Sequence, residues 1–259
     1  MTSGVPGDII PGMSWHELLN FDSRIPVEKI LSSRQYEREK DGFFPTPVIL
    51  AEGPFDITAI DINPGSKTTN HTPELDKYID DVWNELILKK GKDVYNNDKV
   101  LVLEVVTKNG RLKISTGLTD YKNRIATSSG PEISRKYGLE AVAITLATTC
   151  LLKTIDDKLV LAQLGQNTSE VTKIGGLHCI GGLLEVENKL PINITQNLKR
   201  EIKEELGLTE AETENQISVN YCLGVVQDNK TYAVDILFIC TTNLSASELK
   251  TRNGDGEIQ

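Results

Sequence analysis

The sequence predicts a mixed fold of α-helices and β-strands, either α/β or α+β. Short apolar, β-prone runs alternate with strong turn signals, which is typical of strands. Two longer stretches, Pro73–Lys90 and Ile194–Leu206, instead repeat apolar residues every three to four positions, as amphipathic helices do. Strands on both sides of the second helix favour a mixed sheet with that helix packed on it.

The composition limits the functions that the chain can have. Its 259 residues are 39% hydrophobic and 25% charged, an ordinary globular mixture, and the net charge is -9. An acidic chain is a poor general partner for phosphate backbones, so we expect no nucleic acid. No stretch approaches the ~20 apolar residues of a membrane helix, and residues 1–11 do not read as a secretory signal. We therefore expect no membrane and a place in the cytoplasm, with the nucleus as an alternative.

The first half of the chain reads as an irregular leader over residues 1–45 and a small α+β domain over 46–130. The leader is polar and opens with a Gly- and Pro-rich segment. Asn109-Gly110 separates two β-prone runs and is typical of a hairpin turn. The expected strands of this half are Val48–Ala51, Ile57–Ile62, Lys99–Thr107 and Arg111–Thr116.

The second half, residues 131–259, reads as one further domain. The polar stretch Ala126–Gly138 marks the expected boundary. Beyond it we expect two hairpins, one strand and the second helix. The expected strands are Leu139–Lys153 with Lys158–Leu164, Ile174–Ile180, and Ile217–Val226 with Thr231–Thr241.

Three carboxylates cluster near the end of the second helix. Glu201 lies three and four positions before Glu204 and Glu205, so all three side chains share one side of a helical turn. Like charges repel there, and the helix dipole disfavours negative charge at a carboxyl end. A divalent cation relieves both effects, and Mg²⁺ prefers oxygen ligands. A solvated acidic face is the simpler interpretation of the same pattern.

Together with Gly181-Gly182, the segment from Arg200 to Leu208 resembles the Nudix box, G-x5-E-x7-R-E-U-x-E-E-x-G-U, with U aliphatic. The resemblance implies an α/β/α sandwich preceded by the small α+β domain. It implies a Mg²⁺-dependent hydrolase, with Mn²⁺ as an alternative ion. The implied metal ligands are Glu201, Glu204, Glu205 and the Gly181 carbonyl. Catalytic roles fall to Glu201, Glu204 and Arg200, the last holding a glutamate in position.

The loop between the glycines and the helix departs from the Nudix pattern. The isolated glutamate of the box should fall at residue 188, which is Asn188, while Glu185 and Glu187 lie nearby. The gap to Arg200 is also four residues too long. Many family members add a glutamate from a late loop, for which Glu248 and Glu257 are the candidates. A further strand and helix usually close the Nudix core, so the end of the chain is expected to be incomplete.

The first half resembles a prefix domain found in one Nudix subgroup. The resemblance rests on Trp83-Asn84, Tyr95-Asn96 and Gly117-Leu118-Thr119-Asp120-Tyr121-Lys122. Animal members of this subgroup hydrolyse UDP-glucose and UDP-galactose to UMP and the sugar 1-phosphate. We therefore expect a nucleotide sugar as substrate, with Tyr121, Lys122 and Arg124 in contact with it, and a monomer or homodimer. A core-edge position is an equal alternative for Tyr121.

Two other functions remain open at this stage. One is a Nudix hydrolase for ADP-ribose or another nucleoside diphosphate compound. The other is a binding module with a Nudix fold and weak or no catalysis, which the altered loop at Asn188 favours. The full Arg-Glu-x-x-Glu-Glu sequence argues against this second alternative, because a pure binder has no need of three clustered carboxylates.

Overall fold

Strands and helices are both present along the whole described chain, which confirms the mixed α and β fold class. The computed structural model describes residues 47–90, 95–163, 177–186, 193–228 and 230–252. The expected leader over residues 1–45 lies outside the described residues. So do Glu187, Asn188 and Glu257.

The strands and helices are labelled in chain order. The strands are β1 Val48–Phe55, β2 Ile60–Thr68, β3 Asp98–Lys108, β4 Arg111–Asp120, β5 Leu146–Lys153, β6 Leu159–Val160, β7 Ala162–Gln163, β8 Leu177–His178, β9 Ile180–Leu183, β10 Ile217–Gln227 and β11 Val234–Thr242. The α-helices are α1 Pro73–Lys90, α2 Tyr121–Ala126, α3 Gly130–Tyr137, α4 Ile194–Leu206, α5 Glu210–Gln216 and α6 Ala246–Lys250. Short 3-10 helices cover Ile57–Ala59 and Leu139–Ala141.

The strands form two main sheets and one short pair. The larger sheet has the order β1-β10-β11-β5-β6, and β9 also pairs with β5. Its β5 and β11 run parallel, whereas the neighbouring pairs are antiparallel. The smaller sheet has the order β2-β4-β3, and β7 pairs with β8. Strand β5 therefore pairs with β11 and also with β9, the strand that carries the two glycines.

Strand β1 comes from the first half of the chain but belongs to the sheet of the second half. It pairs with β10, with Val48 opposite Gln227 and Phe55 opposite Cys222. Residues Pro47–Gln259 form one compact unit. Contacts therefore join the two sides of the expected boundary at residues 130 and 131, and the division into two domains stays a prediction.

Two local expectations differ from the structure. The apolar run from Leu139 begins with a 3-10 helix, and its strand starts only at Leu146. The polar stretch expected to be a boundary contains α3, which has Pro131 in its first turn and buries Ile133. Proline is well tolerated in a first helical turn, because the N–H that it lacks has no partner there. The buried Ile133 side chain anchors α3, whose other side chains are mostly polar.

The hairpin between β3 and β4 follows the sequence closely. Asn109 and Gly110 have φ values of 52° and 72°. A two-residue hairpin turn needs positive φ at both central positions, which Asn and Gly adopt with little strain. This turn sets the register that brings β3 beside β4 over its full length.

Helix α4 is held on the larger core by its apolar stripe. Leu198 and Ile202 are fully buried, and Ile194 is 7% exposed. They belong to one core cluster with Ile180 and Leu184, which flank the glycine pair. Truncating a buried Leu or Ile to Ala typically costs about 2–5 kcal/mol of stability, so the stripe fixes the helix firmly. Among the described residues, no helix is both long and apolar enough to cross a membrane.

Candidate active site

The ends of α4 are defined by two capping residues. The Asn193 side chain accepts a hydrogen bond from Gln196 N at 3.1 Å at the amino end. At the carboxyl end, Gly207 adopts the left-handed conformation with φ 62°, which glycine reaches without the penalty of a Cβ. The helix therefore stops directly after the turn that carries Glu201, Glu204 and Glu205.

Two glycines on β9 allow α4 and the sheet to approach closely. A Cβ at Gly182 would lie 2.5 Å from the Glu201 Cδ, so the Glu201 carboxylate occupies the space above this glycine. A Cβ at Gly181 would lie 2.1 Å from the backbone oxygen of Thr148 on β5. Packing against the β5 backbone thus requires Gly181, whereas the close approach at Gly182 joins β9 directly to the acidic turn.

Arg200 links two of the three carboxylates. Its Nη2 donates to Glu201 Oε1 at 2.6 Å, and its Nη1 donates to Glu204 Oε2 at 2.9 Å. Nη2 also donates to Asn197 Oδ1 at 3.1 Å. A planar guanidinium with several N–H donors suits this shared position. Arg200 therefore bridges the Glu201 and Glu204 side chains.

The third carboxylate turns towards the glycine pair. The Gly181 N–H donates a hydrogen bond to Glu205 Oε1 at 3.3 Å. Glu205 therefore reaches from the last turn of α4 to β9. The structure brings all three glutamates to one small region, with contacts either to the glycine backbone or to Arg200.

Glu201 is more enclosed than Glu204. Its side chain is 15% exposed, and burial raises the pKa of its carboxyl group to about 7. Arg200 and Lys99 lower this pKa, whereas Glu204 and Glu185 raise it. Burial disfavours the charged form of a carboxyl group, and a nearby cation favours it. The charge of Glu201 is therefore only partly compensated by the protein itself.

A second charged group lies beside the glycine pair. Lys99 Nζ on β3 lies 2.6 Å from Glu185 Oε1, and Asn97 Nδ2 donates to the same oxygen at 2.5 Å. Burial raises the pKa of the Glu185 carboxyl, but Lys99 and the neighbouring Arg200 and Asn97 outweigh it, so the pKa is lowered. Glu185 was singled out from the sequence, whereas Lys99 and Asn97 were not. Lys99 stands near the start of β3, directly before the buried apolar residues 100–102, and this position gave no separate signal.

The three expected substrate-binding residues lie on α2 but have different surroundings. Tyr121 makes an edge-to-face contact with Trp83, with ring centroids 6.2 Å apart, and Lys99 Nζ lies 5.7 Å from its ring centre. Lys122 forms an ion pair with Asp80 on α1. Arg124 lies in the last turn of α2 and is partly buried. Tyr121 is connected to the site by its contact with Lys99, which pairs with Glu185.

The late glutamate Glu248 is engaged elsewhere. It forms a capping box with Ser245 at the start of α6, where the Glu248 carboxylate accepts from Ser245 N at 2.7 Å. This contact satisfies the end of the helix and holds the side chain to its own turn. Glu248 therefore acts as a helix cap in this structure.

The acidic turn and the glycine pair offer oxygen donors for a divalent cation. Three carboxylates and a backbone carbonyl supply the oxygen atoms that Mg²⁺ prefers. The space above Gly182 holds the Glu201 carboxylate against the β9 backbone. Within the described ranges, however, no three acidic, His or Cys side chains converge on one point to hold a metal ion. The donors match the ion in chemistry, but as they are placed their side chains do not converge on one ion, because Arg200 lies where Glu201 and Glu204 meet.

Comparisons with known proteins add little beyond these residues. No family model matches the chain, and no curated protein matches it. Among solved structures, a mutT/nudix family protein from Listeria innocua is similar to part of it, at 18% identity and a TM-score of 0.27. This match covers 38% of the chain and 65% of the Listeria protein.

Proposed function

We propose that this chain is a Mg²⁺-dependent hydrolase of the Nudix type that cleaves the diphosphate bond of a nucleoside diphosphate sugar. One observation carries the proposal. The helical turn from Arg200 to Glu205 packs against Gly181-Gly182. The Glu201 carboxylate lies above Gly182, and the Glu205 carboxylate accepts a hydrogen bond from the Gly181 N–H. Carboxylates this close together repel one another, and a divalent cation bound among them would relieve that repulsion.

The cation would be held by Glu201, Glu204, Glu205 and the Gly181 carbonyl. Glu204 is 40% exposed, so its side chain has room to exchange Arg200 for an ion. A divalent cation held by these residues would supply positive charge against the diphosphate and would make a bound water more acidic. Mg²⁺ is the proposed ion because it binds through few carboxylates and keeps waters for phosphate ligands.

The protein's own groups would position and deprotonate the attacking water. Arg200 orients Glu201 and Glu204 through the two hydrogen bonds described above. Glu201 and Glu204 are the candidate bases, since each carries a carboxylate beside the proposed reaction centre. Burial of Glu201 excludes part of the solvent and strengthens charge interactions at the site.

The proposed substrate is UDP-glucose or UDP-galactose, with UMP and the sugar 1-phosphate as products. The resemblance of the first half to the UDP-sugar subgroup supports this choice. The position of Tyr121 next to Lys99 adds an aromatic ring near the site, suited to stacking on a base or sugar. Lys122 and Arg124 would meet phosphate, and Lys122 would have to leave its ion pair with Asp80 to do so.

A binding module with weak catalysis is the second candidate function. It is favoured by the position of Arg200 between Glu201 and Glu204, where an ion would otherwise draw the carboxylates together. The lack of nucleic acid and membrane partners, the monomeric or homodimeric state and the cytoplasmic location all stay predictions.

A substrate panel tests the proposal and separates the candidates. The purified chain is incubated with UDP-glucose, UDP-galactose, ADP-ribose, NADH and a diadenosine polyphosphate, with Mg²⁺ and with a chelator. We expect Mg²⁺-dependent release of UMP from the UDP-sugars at the highest kcat/KM. Preference for ADP-ribose or another adenosine compound would contradict the UDP-sugar assignment. Binding of a nucleotide sugar without turnover would identify the binding module.

A further inference from the structure

Lys99 and Glu185 form an enclosed ion pair at the junction between the two sheets. Lys99 Nζ lies 2.6 Å from Glu185 Oε1, and the two side chains are 7% and 34% exposed. A lysine charge is costly to remove from water unless a partner of opposite charge compensates it. Each charge therefore depends on the other for compensation, and moving either side chain into solvent would leave its partner's charge uncompensated.

Backbone hydrogen bonds fix this pair from both sides. Val100 N donates to Leu184 O at 3.2 Å, and Val186 N donates to Asp98 O at 3.3 Å. Lys99 and Glu185 are consequently opposite each other in an antiparallel bridge. Asn97 Nδ2 adds a second donor to Glu185 Oε1 at 2.5 Å. The Glu185 carboxylate is thus held by two side chains, those of Lys99 and Asn97.

The pair lies within electrostatic reach of the acidic turn on α4. Glu185 follows Gly182 by three residues, and the Glu201 carboxylate lies above Gly182. Lys99 and Arg200 each act to lower the pKa of both carboxyl groups. A shift of Glu185 therefore changes the field at the groups that Arg200 holds.

We propose that Lys99 is a positioning residue of the hydrolase site, acting through Glu185 on Arg200 and Glu201. This inference rests on the proposed function. Lys99 itself does not touch the substrate. Its contact with Glu185 keeps that carboxylate in one place, and Glu185 then keeps the Arg200 guanidinium aligned with the α4 glutamates. Outer residues that orient site ligands typically contribute about 10- to 100-fold in activity or metal affinity.

A double-mutant cycle tests this order of action. The variants are Lys99→Met, Glu185→Gln and the double substitution, with kcat and KM measured for the UDP-sugar. We expect each single variant to lower kcat about tenfold, the double variant to lower it no further, and KM to change little. Lys99→Arg, which keeps the charge, restores part of kcat. Lys136→Met is the matched control, because Lys136 pairs with Glu74 at an exposed position and should leave kcat unchanged.

Other outcomes overturn the proposal. A raised KM in Lys99→Met with wild-type kinetics in Glu185→Gln shows that Lys99 contacts the substrate directly. Additive losses in the double variant show that the two residues act separately. Should Lys99→Met fail to fold, Glu185→Gln removes the same pair from its more exposed side, and wild-type kcat in that variant contradicts the proposal.

Manganese binding separates this inference from the proposed function. Mn²⁺ is titrated into the same variants and followed by electron paramagnetic resonance. If the wild-type chain binds Mn²⁺ but hydrolyses nothing, the hydrolase proposal fails. The positioning role still holds if both single variants and the double variant weaken Mn²⁺ binding by the same factor of about ten. Equal affinity in all variants, or no Mn²⁺ binding by the wild-type chain, overturns the positioning role.

Discussion

The carboxylate of Glu201 lies directly above Gly182, so that a Cβ at residue 182 would be 2.5 Å from the Glu201 Cδ. The neighbouring glycine meets a different obstacle, since a Cβ at Gly181 would be 2.1 Å from the Thr148 backbone oxygen. The clash at residue 182 involves the end of the flexible Glu201 side chain, whereas the clash at residue 181 involves the backbone of β5. The two glycines therefore serve the site and the sheet respectively.

This contrast predicts different results for two alanine substitutions. Gly182→Ala should displace the Glu201 carboxylate and lower kcat/KM about 100-fold, with the unfolding midpoint nearly unchanged. Gly181→Ala should instead disturb the pairing of β9 with β5 and lower stability by about 1–3 kcal/mol. Thermal unfolding and steady-state kinetics on both variants check this. Full activity in a folded Gly182→Ala protein would refute the role given to Glu201.

Removing one carboxylate charge from the acidic turn should abolish most activity. Glu204→Gln keeps the size of the side chain and its contact with Arg200 but loses a proposed cation ligand. We expect kcat to fall by about 100-fold or more, while the circular dichroism spectrum and unfolding midpoint stay close to wild type. Glu210→Gln is the matched control, because Glu210 is 75% exposed and pairs with Lys203 outside the site. Equal activity in the Glu204 and Glu210 variants would remove the metal-ligand role.

The ring of Tyr121 should matter more than its hydroxyl group. If Tyr121 stacks on the uracil or sugar, Tyr121→Ala raises KM for the UDP-sugar about tenfold, as loss of one stacking contact does. Tyr121→Phe keeps the ring and its edge-to-face contact with Trp83, so KM should stay near wild type. A Tyr121→Ala protein that loses stability without any change in KM would assign the ring to packing instead.

The pair of Glu212 and Arg252 predicts an acid-dependent part of stability. The hydrogen bond from Arg252, helped by those from Thr209, lowers the pKa of the Glu212 carboxyl from 4.5 to about 2. A lowered pKa gives stability that is present above the unfolded value and is lost as pH falls from about 4.5 towards 2. Glu212→Gln should therefore be less stable than wild type at pH 7, with the difference shrinking below pH 4.5. Unfolding midpoints across this range measure it, with Glu214→Gln on the same helix as control. A difference independent of pH would contradict the assignment.

The parts of the fold that depend on local pattern could be predicted from the sequence. The bounds of α1 and α4 agree with the expected helices, because apolar residues at helical spacing mark a buried stripe wherever it packs. The Asn109-Gly110 turn is likewise local, since its positive φ values depend on two residues alone. The grouping of Glu201, Glu204 and Glu205 followed from helical spacing in the same way.

Features that join distant segments could not be predicted from local patterns. The pairing of β1 with β10 joins residues far apart in the chain, and no periodicity within either strand names its partner. Lys99 reaches Glu185 through such a pairing, which is why the sequence analysis missed it. The hydrogen bonds of Arg200 to both Glu201 and Glu204 depend on side-chain direction, which spacing limits but does not decide.

Hydrolysis in ¹⁸O-labelled water tests the central claim most directly, namely that the acidic turn of α4 holds a divalent cation against linked phosphates. UDP-glucose is incubated with the chain in labelled water, with Mg²⁺ or with a chelator, and both products are analysed by mass spectrometry. We predict UMP and glucose 1-phosphate only with Mg²⁺, with one labelled oxygen on the phosphate that is attacked. Unlabelled products, equal turnover with the chelator, or no hydrolysis of any diphosphate in the panel would contradict the claim.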